Sequence, residues 1–256
     1  LNKLFIFETE DGFQIESVFY RGDTLCVSTQ VGCPVRCNFC ASGSNGFLRN
    51  LSCDEIVSQY EILKEKLNIR GIAIAGIGEP TANWKNVINA LNYFKSQNLK
   101  VTITTTGFNT EGFKAILLAK HDGVTFSVHG FSKTVREKLF PNSFPFEKSK
   151  EIFEKHIKNL SKSQRKKYQI GYLLLKGVNH SEKELSLLSE FAGKYSLTVM
   201  LMMYNKTHHN CFLPVSEKEY EDAFLFLRKK KIRTTLSNRF RTDPLGGCGT
   251  LTINRK

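Results

Sequence analysis

The chain opens with alternation. In "KLFIFETEDGFQIESVFYRG" (3–22) apolar and polar residues trade places with a period of two, and the two runs meet at Asp11-Gly12. Asp-Gly between alternating runs signals a β-hairpin, because the tight turn needs residues that tolerate positive φ. The rhythm then changes. Short β-rich apolar runs predict strands over 24–30, 71–77, 100–106, 123–129, 168–175 and 197–204, with a weaker one over 232–237. Between them, apolar residues at helical spacing predict helices over 53–68, 84–97, 111–119, 147–160, 181–194 and 216–230. Ser52, Asn83, Ser181 and Ser216 stand at four helix starts, where a side-chain oxygen can accept an orphan backbone N–H.

Six β/α units in succession imply a parallel sheet, since each crossover returns the chain in the same direction. The chemically distinctive residues fall just after strands. Cys33–Cys40 follow the first and Gly78-Glu79 the second. Thr104–Gly107 close the third, His129 closes the fourth, and Asn205 follows the sixth. A barrel brings all those strand ends to one face, where a Rossmann sheet would spread them. The predicted fold is therefore α/β, an open partial (β/α)6 barrel. Residues 1–22 form an N-terminal β-hairpin extension, 23–240 the barrel, and 241–256 a C-terminal loop carrying a cysteine.

Composition narrows the class. The 256 residues suffice for one large α/β domain or two small ones. No run of about 18 apolar residues occurs, so no membrane span is expected. The first residues lack a basic segment followed by an apolar core, so no secretory leader is expected. Seven cysteines, three of them in one loop, argue against a disulfide framework and for metal or redox chemistry in a reducing, cytoplasmic setting. The net charge of +13 favours a polyanionic partner such as RNA or DNA, although a solvated basic surface gives the same sum. The basic stretch "KNLSKSQRKKYQ" (158–169) reads as a solvated helix end.

The loop "VGCPVRCNFCASG" (31–43) places three cysteines in Cys-x-x-x-Cys-x-x-Cys spacing. Thiolates bind soft metals, and a [4Fe-4S] cluster held by only Cys33, Cys37 and Cys40 keeps one iron open for a ligand. The alternatives are a zinc site completed by Cys53, Cys211, Cys248 or a histidine, and buried structural thiols. In "GIGEP" (76–80), Gly76 and Gly78 let backbone approach a ligand, or merely make a tight turn. Thr104 can be β-branched filler, His129 a core histidine, Asn205 a turn residue, Cys26 a small buried side chain and Glu16 a polar hairpin position. His208, His209 and Cys211 read as loop.

The cysteine loop after a first barrel strand resembles the radical S-adenosylmethionine (SAM) enzymes. Its surroundings, "TLCVSTQVGCPVRCNFCASGSNGFLRNLSCDEIVSQ", together with "GIGEPTAN" (76–83), "YLLLKGVNH" (172–180) and "GGCGTL" (246–251), are similar to the RlmN/Cfr radical SAM RNA methyltransferases. The similarity runs from about Glu10 to the C terminus, and "GCGTL" makes it specific. The resemblance implies a [4Fe-4S] cluster whose open iron binds SAM, two SAM molecules per turnover, and cleavage of one to a 5′-deoxyadenosyl radical. It places Gly78 and Glu79 at the amino end of SAM, and Thr104 and the "SVH" residues Ser127, Val128 and His129 around the cofactor. It places Asn205 at the adenosine. It makes Cys248 the methyl acceptor, Cys26 the thiol that resolves the RNA adduct by a disulfide, and Glu16 the proton acceptor. The implied reaction is methylation of an adenine carbon in rRNA or tRNA, C2 in preference to C8. The implied enzyme is a monomer fed by a low-potential donor such as flavodoxin or ferredoxin. The rivals are another radical SAM enzyme, such as a glycyl-radical activase, and a zinc-dependent RNA-binding module.

The similarity thins in three places. "GFSKTV" stands where the family has Ala-Pro-Asn after the histidine, "FPNSFPF" (140–146) replaces Pro-Ile-Asn, and "TDPLGGCGTL" replaces a more acidic approach to the cysteine. These loops belong to the substrate side. The family also carries an N-terminal helical domain that helps grip RNA, and this sequence starts almost at the catalytic core.

Overall fold

The computed structural model describes residues 2–141, 144–207, 210–237, 246–247 and 249–253. The hairpin is present. β1 (Lys3–Glu8) pairs antiparallel with β2 (Gln14–Tyr20), Glu8 opposite Gln14. Its loop is wider than a two-residue turn, because Thr9 N donates to Phe13 O at 2.8 Å and Gly12 N to Thr9 O at 2.8 Å. β2 then pairs antiparallel with β3 (Thr24–Val27), which places Val18 opposite Cys26.

The predicted strand 24–30 splits in two, for a polar reason. Ser28, Thr29 and Gln30 are all buried, and their polar groups find partners off the ladder. The Gln59 amide accepts from Ser28 N at 2.8 Å and donates to Ser28 O at 2.9 Å. Ser28 Oγ donates to Glu16 O at 2.6 Å and accepts from Ile77 N at 2.8 Å. The chain therefore turns out of the sheet. It forms β4 (Gln30–Gly32), which pairs antiparallel with β5 (Phe47–Asn50) in a separate two-stranded ribbon. The three-cysteine loop is the connection of that ribbon.

α1 (Cys53–Glu61) starts at the Ser52–Glu55 capping box. The predicted 53–68 helix loses its regular part at Glu61 and continues as turns, with Leu63 N on Tyr60 O and Lys66 N on Leu63 O, both at 3.0 Å. β6 (Gly71–Ile74), α2 (Trp84–Ser96), β7 (Lys100–Thr105), α3 (Thr110–Leu118) and β8 (Gly123–Ser127) follow as predicted units. A short α4 (Lys133–Leu139), capped by Ser132, precedes α5 (Phe146–Lys158). α6 (Lys162–Arg165) is a single capped turn with no buried residue, in keeping with its basic sequence. β9 (Tyr168–Leu174), α7 (Glu182–Tyr195), β10 (Thr198–Met203), α8 (Glu217–Lys229) and β11 (Thr234–Leu236) complete the described chain.

The large sheet has the order β1-β2-β3-β6-β7-β8-β9-β10-β11. Every pairing from β3 to β11 is parallel. The order follows the chain without the reversal that defines a Rossmann switch point, so the strand ends collect as in a partial barrel. Helices cover its outer face. Phe126 of β8 is fully buried between Phe113 of α3 and Phe153 of α5, with ring centroids 5.1 and 4.9 Å away. Truncating such a residue to alanine costs about 3–5 kcal/mol. No helix among the described residues is long and apolar enough to cross a membrane.

Buried histidines make stability depend on pH, and His121 is one of them. His121 is 3% exposed and its Nδ1 meets no partner among the described residues. Burial pushes its pKa down to about 4 from an ordinary 6.5. Between those values the unfolded chain binds a proton that the folded chain refuses, so stability falls as pH drops through the window. Chemical denaturation of the wild type is expected to lose about 2 kcal/mol from His121 between pH 7 and pH 5. His121→Gln is expected to remove the His121 share and leave that of the other buried histidine, His129, and an unchanged slope would contradict the assignment.

Candidate active site

A cavity of about 610 Å³ occupies the barrel interior, within the ordinary range for a small-molecule site. Cys33, Cys37 and Cys40 line it and are half-buried. Their loop is stapled on several sides. Cys33 N donates to Gly46 O at 3.0 Å, Cys40 N to Cys37 O at 3.0 Å, and Asn38 N to Leu139 O at 2.9 Å. Gly32 is glycine for a steric reason, since its φ is +80° and a Cβ would stand 2.1 Å from Gly46 O.

Burial raises the Cys33 and Cys37 thiols far above their ordinary pKa, and the charge of Cys40 raises both further. Three soft donors crowded in this way repel one another as thiolates until a cation joins them. Each thiolate of an iron–sulfur cluster binds its own iron, so its ligands surround a volume. The donor set fits a cluster.

Glu79 opens the second strand-end loop and is 3% exposed. Its carboxylate collects five donors. Oε1 accepts from Thr81 N at 3.0 Å, from Thr81 Oγ1 at 2.7 Å and from the Thr105 hydroxyl. Oε2 accepts from Thr106 N at 2.9 Å and Thr106 Oγ1 at 2.7 Å. One buried carboxylate thus ties the end of β7 to the loop after β6. Gly78 has φ +111°, and a Cβ there would stand 2.6 Å from Thr29 Oγ1. Its glycine is required by close packing on the β3–β4 turn.

Thr104, Ser127 and His129 line the same cavity. His129 has φ +57°, unusual for a non-glycine residue. Its Nδ1 accepts from Leu173 N at 3.0 Å, which assigns the neutral ring's proton to Nε2. Burial, assisted by the Arg136 charge, pushes its pKa down to about 3, so the ring is neutral at physiological pH. Val128 is buried in the apolar core instead, and Asn205 sits buried one residue beyond the cavity-lining Tyr204. Neither of these two is among the residues described as lining the cavity.

Cys26 of β3 lines the same cavity. Glu16 of β2 is 1% exposed, and its Oε2 accepts from Thr252 N at 2.9 Å. Two more bonds dock the C-terminal segment: Ala41 N on Gly249 O at 2.9 Å, and Ser42 Oγ on Leu251 O at 2.8 Å. Cys248 lies outside the described residues, whereas Gly246, Gly247 and Gly249 line the cavity. His208 and His209 also lie outside the described residues, and Cys211 is exposed.

Sequence reasoning missed the residues that hold this site in shape. Asn179 is 0% exposed. Its Nδ2 donates to His129 O at 2.7 Å and Leu173 O at 2.6 Å, and its Oδ1 accepts from Leu175 N at 2.8 Å. Its signal in the sequence is its place in "YLLLKGVNH" (172–180), one of the stretches that resemble the family, although nothing there shows what its side chain holds. Asn179→Ala is expected to cost about 3 kcal/mol by stranding buried polar groups, and to weaken SAM binding by freeing His129. Denaturation and calorimetry check both. A stable variant with unchanged SAM affinity would contradict this role.

A mostly parallel barrel with three thiols on its first strand-end loop is the architecture of the Radical SAM superfamily, whose sequence profile matches residues 27–188. A "Probable RNA methyltransferase" of Rhodopirellula baltica is 30% identical over 264 residues, which cover 96% of this chain and 69% of that protein. The "Probable dual-specificity RNA methyltransferase RlmN" of Thermotoga maritima is 32% identical over 265 residues, 98% of this chain and 76% of the relative. The solved structure of a radical SAM methyltransferase from Sphaerobacter thermophilus superposes with a TM-score of 0.86 at 25% identity, covering 98% of this chain and 77% of that one. The chain belongs to the radical SAM superfamily and, within it, to the family of RlmN-type RNA methyltransferases. It spans about two thirds to three quarters of the length of the curated relatives it matches.

Proposed function

We propose that this chain methylates an adenine carbon in RNA, C2 in preference to C8, through a methyl-cysteine on Cys248. The supporting observation is that the segment flanking Cys248 is bonded to the three-thiol loop and to Glu16, with its glycines on the cavity that holds Cys26, Cys33, Cys37 and Cys40. The C2 and C8 positions of adenine are amidine carbons without nucleophilic character, so direct displacement on SAM does not serve them. A [4Fe-4S] cluster on Cys33, Cys37 and Cys40, with SAM bound, supplies the 5′-deoxyadenosyl radical that this carbon chemistry needs.

The chain's own residues do the rest. Gly78, Glu79, Thr104, Ser127 and His129 bind and orient SAM. Val128 and Asn205, which the resemblance also places at the cofactor, are buried beside the cavity-lining Ser127, His129 and Tyr204. Cys248 Sγ accepts a methyl group from one SAM by displacement, and S-adenosylhomocysteine leaves. A second SAM would supply the 5′-deoxyadenosyl radical, giving two per turnover: a hydrogen atom passes from the Cys248 S-methyl group to 5′-deoxyadenosine, the methylene left on Sγ bonds to the ring carbon, and the one excess electron would return to the [4Fe-4S] cluster. Glu16 takes the proton from the methylated ring carbon once the C-terminal segment lifts off its carboxylate. The Cys26 thiolate attacks Cys248 Sγ and breaks its bond to the transferred carbon; the electron pair stays on that carbon, which takes up a proton and leaves as the methyl group of the base, and a Cys26–Cys248 disulfide remains. The enzyme acts in the cytoplasm on rRNA or tRNA, as a monomer served by flavodoxin or ferredoxin.

The test is anaerobic incubation of reconstituted protein with RNA, SAM and a reductant, followed by nucleoside mass spectrometry. The expected product is 2-methyladenosine, absent with Cys248→Ala. 8-Methyladenosine would reassign the ring position. No methylated adenosine in any RNA fraction from a cluster-loaded enzyme would contradict the proposal.

A further inference from the structure

Seven strands, β3 and β6 to β11, lie side by side and parallel, so the turns that lead into them collect at one end of the barrel. It is the end opposite the thiol loop, because Cys33–Cys40 and Glu79 follow strands and these turns precede them. Backbone bonds hold neighbouring strand starts together. Arg70 N donates to Asp23 O at 2.8 Å, Lys100 N to Arg70 O at 3.1 Å and Val124 N to Lys167 O at 2.8 Å. Arg21, Lys100, Lys166 and Lys167 all border the cavity of the barrel interior.

The turns are residues 21–23, 62–70, 97–99, 119–122, 159–167, 196–197 and 230–233. Their 34 residues hold 12 of the chain's 37 Lys and Arg but only 3 of its 24 Asp and Glu. Acidic residues thus occur there at the chain's average frequency, while basic ones occur more than twice as often. Loop polarity in general would raise both, so the excess is one of positive charge. Most of the net +13 comes from this end. Arg70, Lys100, Lys120, Lys167, Lys231 and Arg233 are exposed, and among the described residues none of them takes part in an ion pair. Of the three carboxylates, Asp122 is already held by Lys95 Nζ at 2.8 Å and Val101 N at 2.7 Å. Cations also suit the C-terminal ends of helices, an attraction that fades within one turn. Arg165 serves that purpose, its Nε donating to Ile157 O and Leu160 O, both at 3.0 Å. Arg21 follows a strand and Arg70 stands nine residues past α1, so helix ends do not account for them.

We propose that this face docks the phosphate backbone of a folded RNA, at a part of that RNA distant from the adenine that reaches the thiol end. This rests on the reading of RNA as the substrate. Neighbouring strands lie about 4.8 Å apart, so seven strand starts spread the charge over about 30 Å, room for several successive phosphates. β7 has 6 residues, which sets the two ends of the barrel about 20 Å apart. A lone nucleotide meets one end only, whereas a folded RNA reaches both. Phosphate contacts carry no base readout, so this face adds affinity and orientation and leaves the choice of adenine to the catalytic cavity. Release of condensed counterions drives the contact, which makes it sensitive to salt.

The experiment is a salt series of RNA binding by the anaerobically reconstituted protein, read by fluorescence anisotropy of a labelled total tRNA pool. Wild type is compared with a turn variant that combines Arg70→Gln, Lys120→Gln and Arg233→Gln. A control variant combines Lys85→Gln, Lys114→Gln and Lys155→Gln, which removes the same charge from α2, α3 and α5. All six side chains are exposed, so the thermal transition is expected to stay in place in both. The turn variant is expected to bind at least about tenfold more weakly than wild type at about 0.1 M salt, and its slope of log affinity against log salt to flatten by about three. The control is expected to stay within about threefold of wild type, with its slope unchanged. A turn variant that loses no more than the control would overturn the proposal and leave these cations as a solvated surface. Binding needs no turnover. A protein that binds tRNA through this face and forms no methylated adenosine would overturn the function proposed above and keep the docking surface.

Discussion

Replacing Cys37 with alanine is expected to leave a folded chain that takes up no iron–sulfur cluster. The substitution removes one small, half-buried side chain, so the apo protein loses about 1 kcal/mol. The loop around it is held by backbone bonds to Gly46, Leu139 and Gly249, none of which involves a thiol. Metal uptake depends on the thiols themselves, and burial and neighbouring charge raise Cys33 and Cys37 well above the ordinary thiol range. Iron content and SAM cleavage are therefore expected to fall at least about a hundredfold, while the thermal transition barely moves. Iron analysis and calorimetry on the same sample check this. A variant that loses its fold and keeps its iron would make Cys37 a structural thiol.

Glu79→Gln is the second large effect, and the reason lies in which atoms face the carboxylate. Each oxygen meets one backbone N–H that cannot turn: Thr81 N on Oε1 and Thr106 N on Oε2. Hydroxyls can rotate to accept, but a backbone N–H only donates. Whichever way the glutamine amide is placed, its NH₂ group confronts a fixed donor. The variant is expected to lose about 2–4 kcal/mol of stability and to bind SAM at least about tenfold more weakly. Denaturation and calorimetry read the two losses. A glutamine variant as stable as wild type would show that the threonine clamp contributes little.

Much of this fold was legible because its periodicities are clean. Alternation gave the hairpin, and six strand–helix units gave the parallel sheet in chain order. The cysteine spacing pointed to the site that the barrel ends surround. What stayed hidden depends on partners distant in sequence. The split at Ser28 is made by Gln59, and the left-handed backbone of His129 is held by Asn179. Glu184 stands in the first turn of α7, yet it is buried and holds the N–H groups of Phe131 and Ser132. Local pattern carries no record of such pairings. The same applies to Gly78, whose need for glycine comes from Thr29 and Gln30 packing against it.

The most direct measurement is mass spectrometry of the tryptic peptide "TDPLGGCGTLTINR" (242–255), from protein expressed with cluster assembly and purified without oxygen. The account predicts one added CH₂ on Cys248 in the wild type and none in Cys33→Ala. A cluster-loaded, SAM-binding wild type whose Cys248 is unmodified would contradict the methyl-carrier mechanism and favour a radical SAM enzyme of another kind.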